Sequence, residues 1–235
     1  MTLSPDDVAI FTLGPWTVTA TLVYSWVVMA LLVVASALVT RSVTSTGGDL
    51  ARGQNVLEAL VAFLLDQIRD ITNQDPEPYL PFVGTLFLFI VTSNVLSVVP
   101  GFEPPTGSLT TAAALALCVF VAVPAFGIRK LGVRTYLGNY LRPTPFLLPF
   151  TIIGELSRTL ALAVRLFGNV MSGSVIAVIL LSVAPLLFPV IMQAFGLLIG
   201  VIQAYIFAIL AIVYIASGTE AQERTARARE EEAGS

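Results

Sequence analysis

Apolar residues along the chain fall into five long runs separated by polar or proline-containing segments. Each run reaches about 20 residues, the helical length needed to cross a hydrocarbon core of roughly 30 Å. The pattern therefore predicts an all-α, polytopic membrane protein with about five transmembrane helices in a single domain. The predicted spans cover residues 16–40, 79–98, 109–128, 146–183 and 190–217.

Residues 50–72 show a different pattern, with apolar positions at helical spacing on one side and charged residues elsewhere. This arrangement is typical of an amphipathic helix that lies at an interface or packs on a partner, and not of a span. Its apolar positions are Val56, Leu57, Leu60, Phe63, Leu64 and Ile68.

The fourth apolar run, residues 146–183, is longer than one membrane crossing needs. A helix of about 38 residues at 1.5 Å per residue would extend roughly 57 Å. The run is therefore expected either to break or to lie strongly tilted. Pro185 and Pro189 then predict a turn before the last helix.

Basic residues indicate the orientation of the chain. Apart from Arg158 and Arg165, lysine and arginine occur only in residues 41–69, 129–142 and 224–229. With five spans these three segments lie on the same side, which the positive-inside rule assigns to the cytoplasm. We therefore expect an external N-terminal segment (1–15) and a cytoplasmic, partly disordered charged tail (218–235).

Composition agrees with a membrane protein and narrows the chemistry. The chain is 56% hydrophobic and 11% charged, whereas soluble domains carry roughly 25% charged residues. It has no histidine and one cysteine, Cys118. Histidine-ligated metal sites, imidazole catalysis and an intramolecular disulfide are therefore excluded, and we expect no catalytic site of its own.

Two arginines, Arg158 and Arg165, lie inside the fourth run, where each costs about 2.5–3.5 kcal/mol on insertion scales. Glu155 is three residues before Arg158, so these two side chains can pair on one helix. Arg165 has no acid within four residues on either side. We expect its partner on another polypeptide; pairing with a distant span or snorkelling to the interface are the alternatives.

Other polar or small residues occur within the predicted spans. Asn169 and Ser172 continue the face that carries Arg165, and Gln203 lies beside a small-residue stripe suited to close helix packing. That stripe comprises Gly196, Gly200, Ala204 and Ala208. A cluster in the second span either lines a wet vestibule or forms hydrogen bonds between helices: Thr92, Ser93, Asn94 and Ser97.

Three segments carry a family resemblance: RLFGN at 165–169, GELSR at 154–158 and IQAYIFAILAIVYI at 202–215. Together with the loop PGFEPPTGSLTTAAALAL at 100–117, they resemble subunit a of F-type ATP synthases, the stator half of the Fo motor. The resemblance covers roughly residues 55–218.

The resemblance implies that Arg165 meets the carboxylate of each rotor-ring c subunit and separates two offset half-channels. The last two long helices would form a tilted hairpin against that ring. The residues expected to serve ion translocation are Arg165, Asn169, Gln203, Glu155, Arg158, Asn94, Ser174 and Ser97.

The resemblance also implies partners and a location. The partners would be the c-subunit ring, subunit b of the peripheral stalk, other Fo and F1 subunits and the lipid membrane, with no nucleic acid. No cofactor is expected, and the transported ion would be H⁺ or Na⁺. The location would be a bacterial plasma membrane.

Departures from the family pattern bear on the ion. Proton-driven members often carry glutamate where this chain has Ser174, histidine at Gly196 and aspartate at Ser97. This pattern resembles the N-type ATPases, many of which are expected to move sodium.

Two other functions remain as alternatives. A self-contained secondary transporter usually shows inverted repeats, and no internal repeat is evident here. An intramembrane enzyme needs a convergent set of catalytic side chains, whereas Glu155 is the one carboxylate clearly inside a predicted span.

Overall fold

A computed structural model describes residues 9–13, 16–41, 52–99, 101–140, 148–183 and 188–234. Within these ranges the chain forms a helical body preceded by a short β-hairpin, so the all-α prediction is confirmed for the membrane body. The helices are α1 (Ala20–Arg41), α2 (Arg52–Thr72), α3 (Leu80–Leu96), α4 (Leu109–Leu131), α5 (Val133–Tyr140), α6 (Leu148–Val183) and α7 (Phe188–Gly234).

The N-terminal hairpin corrects the start of the first predicted span. Strand β1 (Ala9–Leu13) pairs antiparallel with β2 (Trp16–Thr19), so helix α1 begins at Ala20 and not at residue 16. Residues 17–19 read Thr-Val-Thr, and such β-branched residues favour an extended backbone. Of the predicted external segment, residues 1–8 and 14–15 lie outside the described ranges.

Three helical segments among the described residues are long and apolar enough to cross a membrane: Ala20–Leu38, Leu109–Leu131 and Val190–Thr219. Helix α3 is apolar over 17 residues. Helix α6 extends without interruption for 36 residues. Of the two alternatives for this run, the break is therefore wrong within Leu148–Val183.

Helix α7 is 47 residues long and continues through most of the charged tail. The prediction of partial disorder is therefore wrong for residues 218–234. Alanine, glutamate, glutamine and arginine dominate that segment, and all four are strong helix formers. Pro189 is the second residue of α7, a position where a helix tolerates proline, whereas Pro185 lies outside the described ranges.

Helix α7 also forms the centre of the molecule, because it packs against α2, α3, α4 and α6. Small residues on its buried surface allow close helix approach, and larger ones fill the remaining space. Its fully buried side chains include Ala204, Phe207, Ala208, Ala211, Ile212 and Ile215. The predicted small-residue stripe is buried from Gly200 to Ala208, but Gly196 is exposed.

Helix α2 packs on the bundle through its C-terminal half. Leu64 and Ile68 are buried, whereas Val56 is 71% exposed. Tyr205 of α7 donates a hydrogen bond from its hydroxyl to Gln67 Oε1 at 2.6 Å, and its ring lies 5.8 Å from that of Phe63. The packing interpretation therefore holds for this half of the helix.

The segment between α3 and α4, residues 101–108, folds back into the bundle. It contains a 3-10 turn, Pro105–Gly107, that contacts α1, α3, α4 and α6. The Tyr24 hydroxyl donates to the Gly101 carbonyl at 2.9 Å. Ser108 caps α4, since its Oγ accepts from the Thr110 amide at 3.2 Å. We call residues 101–108 the inserted loop.

Candidate functional site

Arg165 lies on the surface of α6. Leu162 and Leu166, one turn apart, are buried against the bundle, and the helical rotation between them carries Arg165 out of that buried face. Its side chain is exposed and forms no ion pair or hydrogen bond with any residue that the structure describes. Pairing with an acid of another span is therefore not seen among these residues.

The two long helices that flank this arginine expose a broad apolar surface. Helices α6 and α7 pack against each other, and their outward-facing residues are mostly large hydrophobics. These include Leu156, Leu160, Val164, Ile176, Phe195, Leu198, Ile199 and Ile202. An exposed apolar surface of this extent belongs in lipid or against another membrane protein.

Arg158 has a different environment from the one predicted. Its guanidinium carbon lies 5.7 Å from the ring centroid of Tyr214 on α7, a cation–π distance. Glu155 and Arg158 form no ion pair within 4.0 Å among the described side chains. Instead both line one pocket, together with Thr159, Tyr214 and Gly218.

A polar seam joins α3 to α7. Asn94 donates from Nδ2 to the Gly200 carbonyl at 3.2 Å. Nearer the end of α3, Gln193 Nε2 lies 3.4 Å from the Ser97 carbonyl and 3.3 Å from the Val98 carbonyl. We call these groups the α3–α7 seam.

The polar cluster of the second span uses its hydrogen-bonding groups in two ways. Asn94 forms a hydrogen bond between helices. The hydroxyls of Ser93 and Ser97 donate to carbonyls of their own helix segment, those of Phe89 at 2.7 Å and Asn94 at 2.6 Å. These two serines therefore satisfy themselves locally.

Gly200 is the point of closest approach in this seam. A Cβ added at Gly200 would lie 2.8 Å from Asn94 Cγ and 2.9 Å from its Cβ, closer than ordinary van der Waals contact. Only glycine therefore lets the α7 backbone meet Asn94 at this distance.

Gln203 lies one turn further along α7 and is only 7% exposed. Its Nε2 is buried and has no hydrogen-bond partner among the described residues. Asn169 is half-buried on α6, and its backbone carbonyl accepts from the Ser172 hydroxyl at 3.1 Å. Ser174 belongs to α6 as well, but its side chain lies outside the described part.

Two members of the site were not singled out from the sequence. Gln193 joins the α3–α7 seam, and Tyr214 contacts Arg158. A polar side chain within the apolar run was the available signal for Gln193. Within the described ranges, no group of three or more His, Cys, Asp or Glu side chains could hold a metal ion.

The fold and the site together define a polytopic membrane protein that carries a permanent cation on a helix pair with an exposed apolar surface. The family model described as ATP synthase A chain matches residues 22–216, and the chain belongs to this family. It is thus a subunit a of the Fo sector, which implies a role in ion translocation together with other ATP synthase subunits.

Curated relatives extend this similarity over nearly the whole chain. The chain is 58% identical over 223 residues to ATP synthase subunit a 2 of Acaryochloris marina, covering 95% of both chains. It is 55% identical to ATP synthase subunit a 2 of Picosynechococcus sp., covering 95% of this chain and 96% of the relative. ATP synthase subunit a of Nitrosospira multiformis is 50% identical, covering 100% of this chain and 93% of the relative.

Proposed function

We propose that the chain supplies two offset half-channels of a rotary ATP synthase, and that Arg165 separates them. The observation that carries this proposal is the exposed position of Arg165 on α6, without a partner among the described residues. A guanidinium keeps its charge at any physiological pH. A carboxylate supplied by another polypeptide, which we identify as the c-subunit ring, would therefore complete the site.

Electrostatics gives Arg165 its role in the cycle. An adjacent positive charge favours the ionised form of a carboxylate, so each ring carboxylate releases its ion on reaching Arg165. The carboxylate then reloads from the half-channel on the other side. The same positive charge repels a cation that would otherwise leak directly from one half-channel to the other.

The positions of the two polar sites support separate half-channels. The α3–α7 seam includes Gln193 and Gly200, and the pocket beside Arg158 includes Tyr214. Gln193 and Tyr214 are 21 residues apart on α7, which corresponds to roughly 30 Å at 1.5 Å per residue. With the N-terminus outside, the seam lies on the outer side and the pocket on the cytoplasmic side.

We assign Asn94, Ser97 and Gln203 to the outer path, and Glu155 and Arg158 to the inner path. Asn169 lies one turn from Arg165 on the same helix, where its carboxamide can face the passing ring. Ser174 belongs to α6 on the outer side. The apolar surface of α6 and α7 is the expected ring contact, and subunit b of the peripheral stalk is a further expected partner in a bacterial plasma membrane.

The ion is H⁺ or Na⁺, and the comparison with N-type enzymes makes Na⁺ worth testing first. The measurement is ATPase activity of the purified complex, and its protection from a ring-directed inhibitor, over a Na⁺ series at fixed pH. Activation and protection by Na⁺ would identify sodium, whereas indifference to Na⁺ would identify the proton.

The role of Arg165 is tested by Arg165→Ala and Arg165→Lys in the complete complex reconstituted in vesicles. We expect both variants to assemble and to lose ATP synthesis and coupled ATP-driven pumping. The lysine variant fails as well because a single ammonium lacks the planar guanidinium fork that binds a carboxylate through two parallel hydrogen bonds. Coupled pumping retained by Arg165→Ala would refute the proposal.

Arg69→Ala is the matched control, because it removes the same charged side chain outside the proposed path. Arg69 pairs with Asp66 at 4.0 Å, and the two side chains are 65% and 72% exposed. Exposed pairs of this kind contribute little to stability, so we expect synthesis and pumping at the unmodified level.

A further inference from the structure

The inserted loop is a non-helical segment inside a helical membrane body. Its residues Pro105, Thr106, Gly107 and Ser108 are all buried. Buried polar groups are hydrogen-bonded either to protein or to enclosed water. Whether the polar atoms of the loop have protein partners therefore distinguishes a dry loop from one in contact with water.

Several polar atoms of the loop have hydrogen-bond partners. The amides of Gly107 and Ser108 donate to the Pro104 carbonyl at 2.9 Å and the Pro105 carbonyl at 3.1 Å. The Ser108 hydroxyl contacts that of Thr110 and caps α4. The Gly101 carbonyl accepts from Tyr24. The amides of Gly107 and Ser108 are thus satisfied within the loop itself.

The hydroxyl of Thr106 differs from these groups. Its side chain is fully buried, at 0% exposure, and its Oγ1 has no hydrogen-bond partner among the described residues. Buried hydroxyls in native proteins nearly always have a protein or water partner. A valine of the same shape would avoid the cost of desolvation if the surroundings were dry.

The loop also lies close to the arginine helix. A Cβ added at Gly107 would lie 3.0 Å from Cγ1 of Val170, so the loop backbone touches α6 there. Val170 follows Asn169 and is five residues beyond Arg165, or roughly 7.5 Å along the helix. Thr106 is therefore next to the part of α6 that follows Arg165. This part of α6 extends towards the side of the bundle where α3 ends.

We propose that the Thr106 hydroxyl binds water in the outer half-channel, so that the inserted loop forms part of the wall along which the ion approaches Arg165. This assignment rests on the proposed function above. A buried water usually makes about three hydrogen bonds to otherwise unsatisfied groups, and the Thr106 hydroxyl supplies one. Thr106 is a positioning residue here, because it acts through the water it holds.

Water access is tested by Thr106→Cys in a Cys118→Ala background, in the complete complex in membrane vesicles. The probe is Ag⁺, which reaches thiols through water and is small enough for an ion path. Thr72→Cys is the matched control, since Thr72 is also buried but its hydroxyl donates to the Ile68 carbonyl at 2.8 Å. We expect Ag⁺ to inhibit pumping through Thr106→Cys and to leave the Thr72→Cys complex active.

A second comparison uses Thr106→Val and Thr106→Ser. We expect both to assemble, the valine variant to lower ion flux several-fold and the serine variant to retain it, because serine keeps the hydroxyl. A dry site predicts the opposite, namely a Thr106→Val complex that is fully active and more resistant to heat.

The proposal is overturned if Thr106→Cys assembles but resists Ag⁺, or if Thr106→Val pumps at the unmodified rate. If the cysteine variant does not assemble, the valine and serine comparison decides alone. These outcomes are separate from the fate of Arg165→Ala, because Ag⁺ access and the hydroxyl dependence of flux do not require that Arg165 separate two half-channels.

Discussion

The contact between Gly200 and Asn94 makes the α3–α7 seam sensitive to one methyl group. In Gly200→Ala the new Cβ would lie 2.8 Å from Asn94 Cγ, 2.9 Å from its Cβ and 3.1 Å from its Nδ2, whereas ordinary contact begins at 3.4 Å. The helices must separate or Asn94 must change rotamer. Either movement lengthens the 3.2 Å hydrogen bond to the Gly200 carbonyl.

The size of the effect follows from three contributions. Overpacking of a well-packed contact typically costs about 1–3 kcal/mol. Loss of the hydrogen bond adds about 0.5–1.5 kcal/mol. Replacing glycine by alanine within a helix stabilises the helix by up to about 1 kcal/mol, which offsets part of these losses. We therefore expect a net destabilisation of about 1–3 kcal/mol, on the scale of the overpacking cost.

The assay is the thermal midpoint at which subunit a dissociates or aggregates in the purified complex, with its abundance in membranes as a second readout. Gly196→Ala is the matched control, because it lies one turn earlier on α7 and nothing lies within 4 Å of its added Cβ. We expect the midpoint to fall for Gly200→Ala and to stay level or rise slightly for Gly196→Ala, because alanine favours the helix and meets no clash there.

A second substitution tests the steric reasoning. Asn94→Ala removes Cγ and Nδ2 but leaves the Cβ at 2.9 Å, so it should rescue Gly200→Ala only partly. Asn94→Gly removes all three close atoms and should relieve the clash further, apart from its own helix-propensity cost of about 1 kcal/mol. Equal midpoints for Gly200→Ala and Gly196→Ala would refute the close approach.

Two further predictions concern tyrosines of α7. Tyr205→Phe removes the hydroxyl that donates to Gln67 but keeps the ring beside Phe63. We expect a loss of about 0.5–1.5 kcal/mol, measured as increased protease sensitivity of α2. Unchanged protection of α2 from the protease would contradict this prediction. Tyr214→Leu removes the ring beneath Arg158, and we expect a loss of about 0.5–2 kcal/mol. Thermal midpoints in a double-mutant cycle with Arg158→Met measure this loss, and additive effects would exclude the cation–π contact. Tyr214→Phe keeps the ring and should behave as the unmodified chain.

Helix positions were largely predictable because apolar length and periodicity determine them directly. The amphipathic pattern predicted a helix over 50–72, and α2 covers Arg52–Thr72. The hairpin and the helical tail were missed for a common reason. Local propensity determines the structure of residues 17–19 and 218–234, whereas hydropathy and charge do not report it.

The candidate site was predictable where it depends on the local sequence and not where it depends on packing. Arg165 was expected to lack a partner within its own helix, and the described residues supply none. The partner of Arg158 could not be predicted, because Tyr214 is 56 residues away along the chain and only the packing of α6 on α7 selects it over Glu155. The contact of Asn94 with Gly200 joins residues that are 106 positions apart. It also depends on packing and could not be predicted from the local sequence.

The central position of α7 has a consequence for biosynthesis. Helices α2, α3, α4 and α6 all pack on it, yet it is translated after all four of them. Helices α2, α3, α4 and α6 are therefore inserted with the surfaces that will bury Phe207 and Ile212 still unpaired. Native packing of these four helices must wait until α7 has left the ribosome, so the synthesis of α7 acts as a checkpoint for folding.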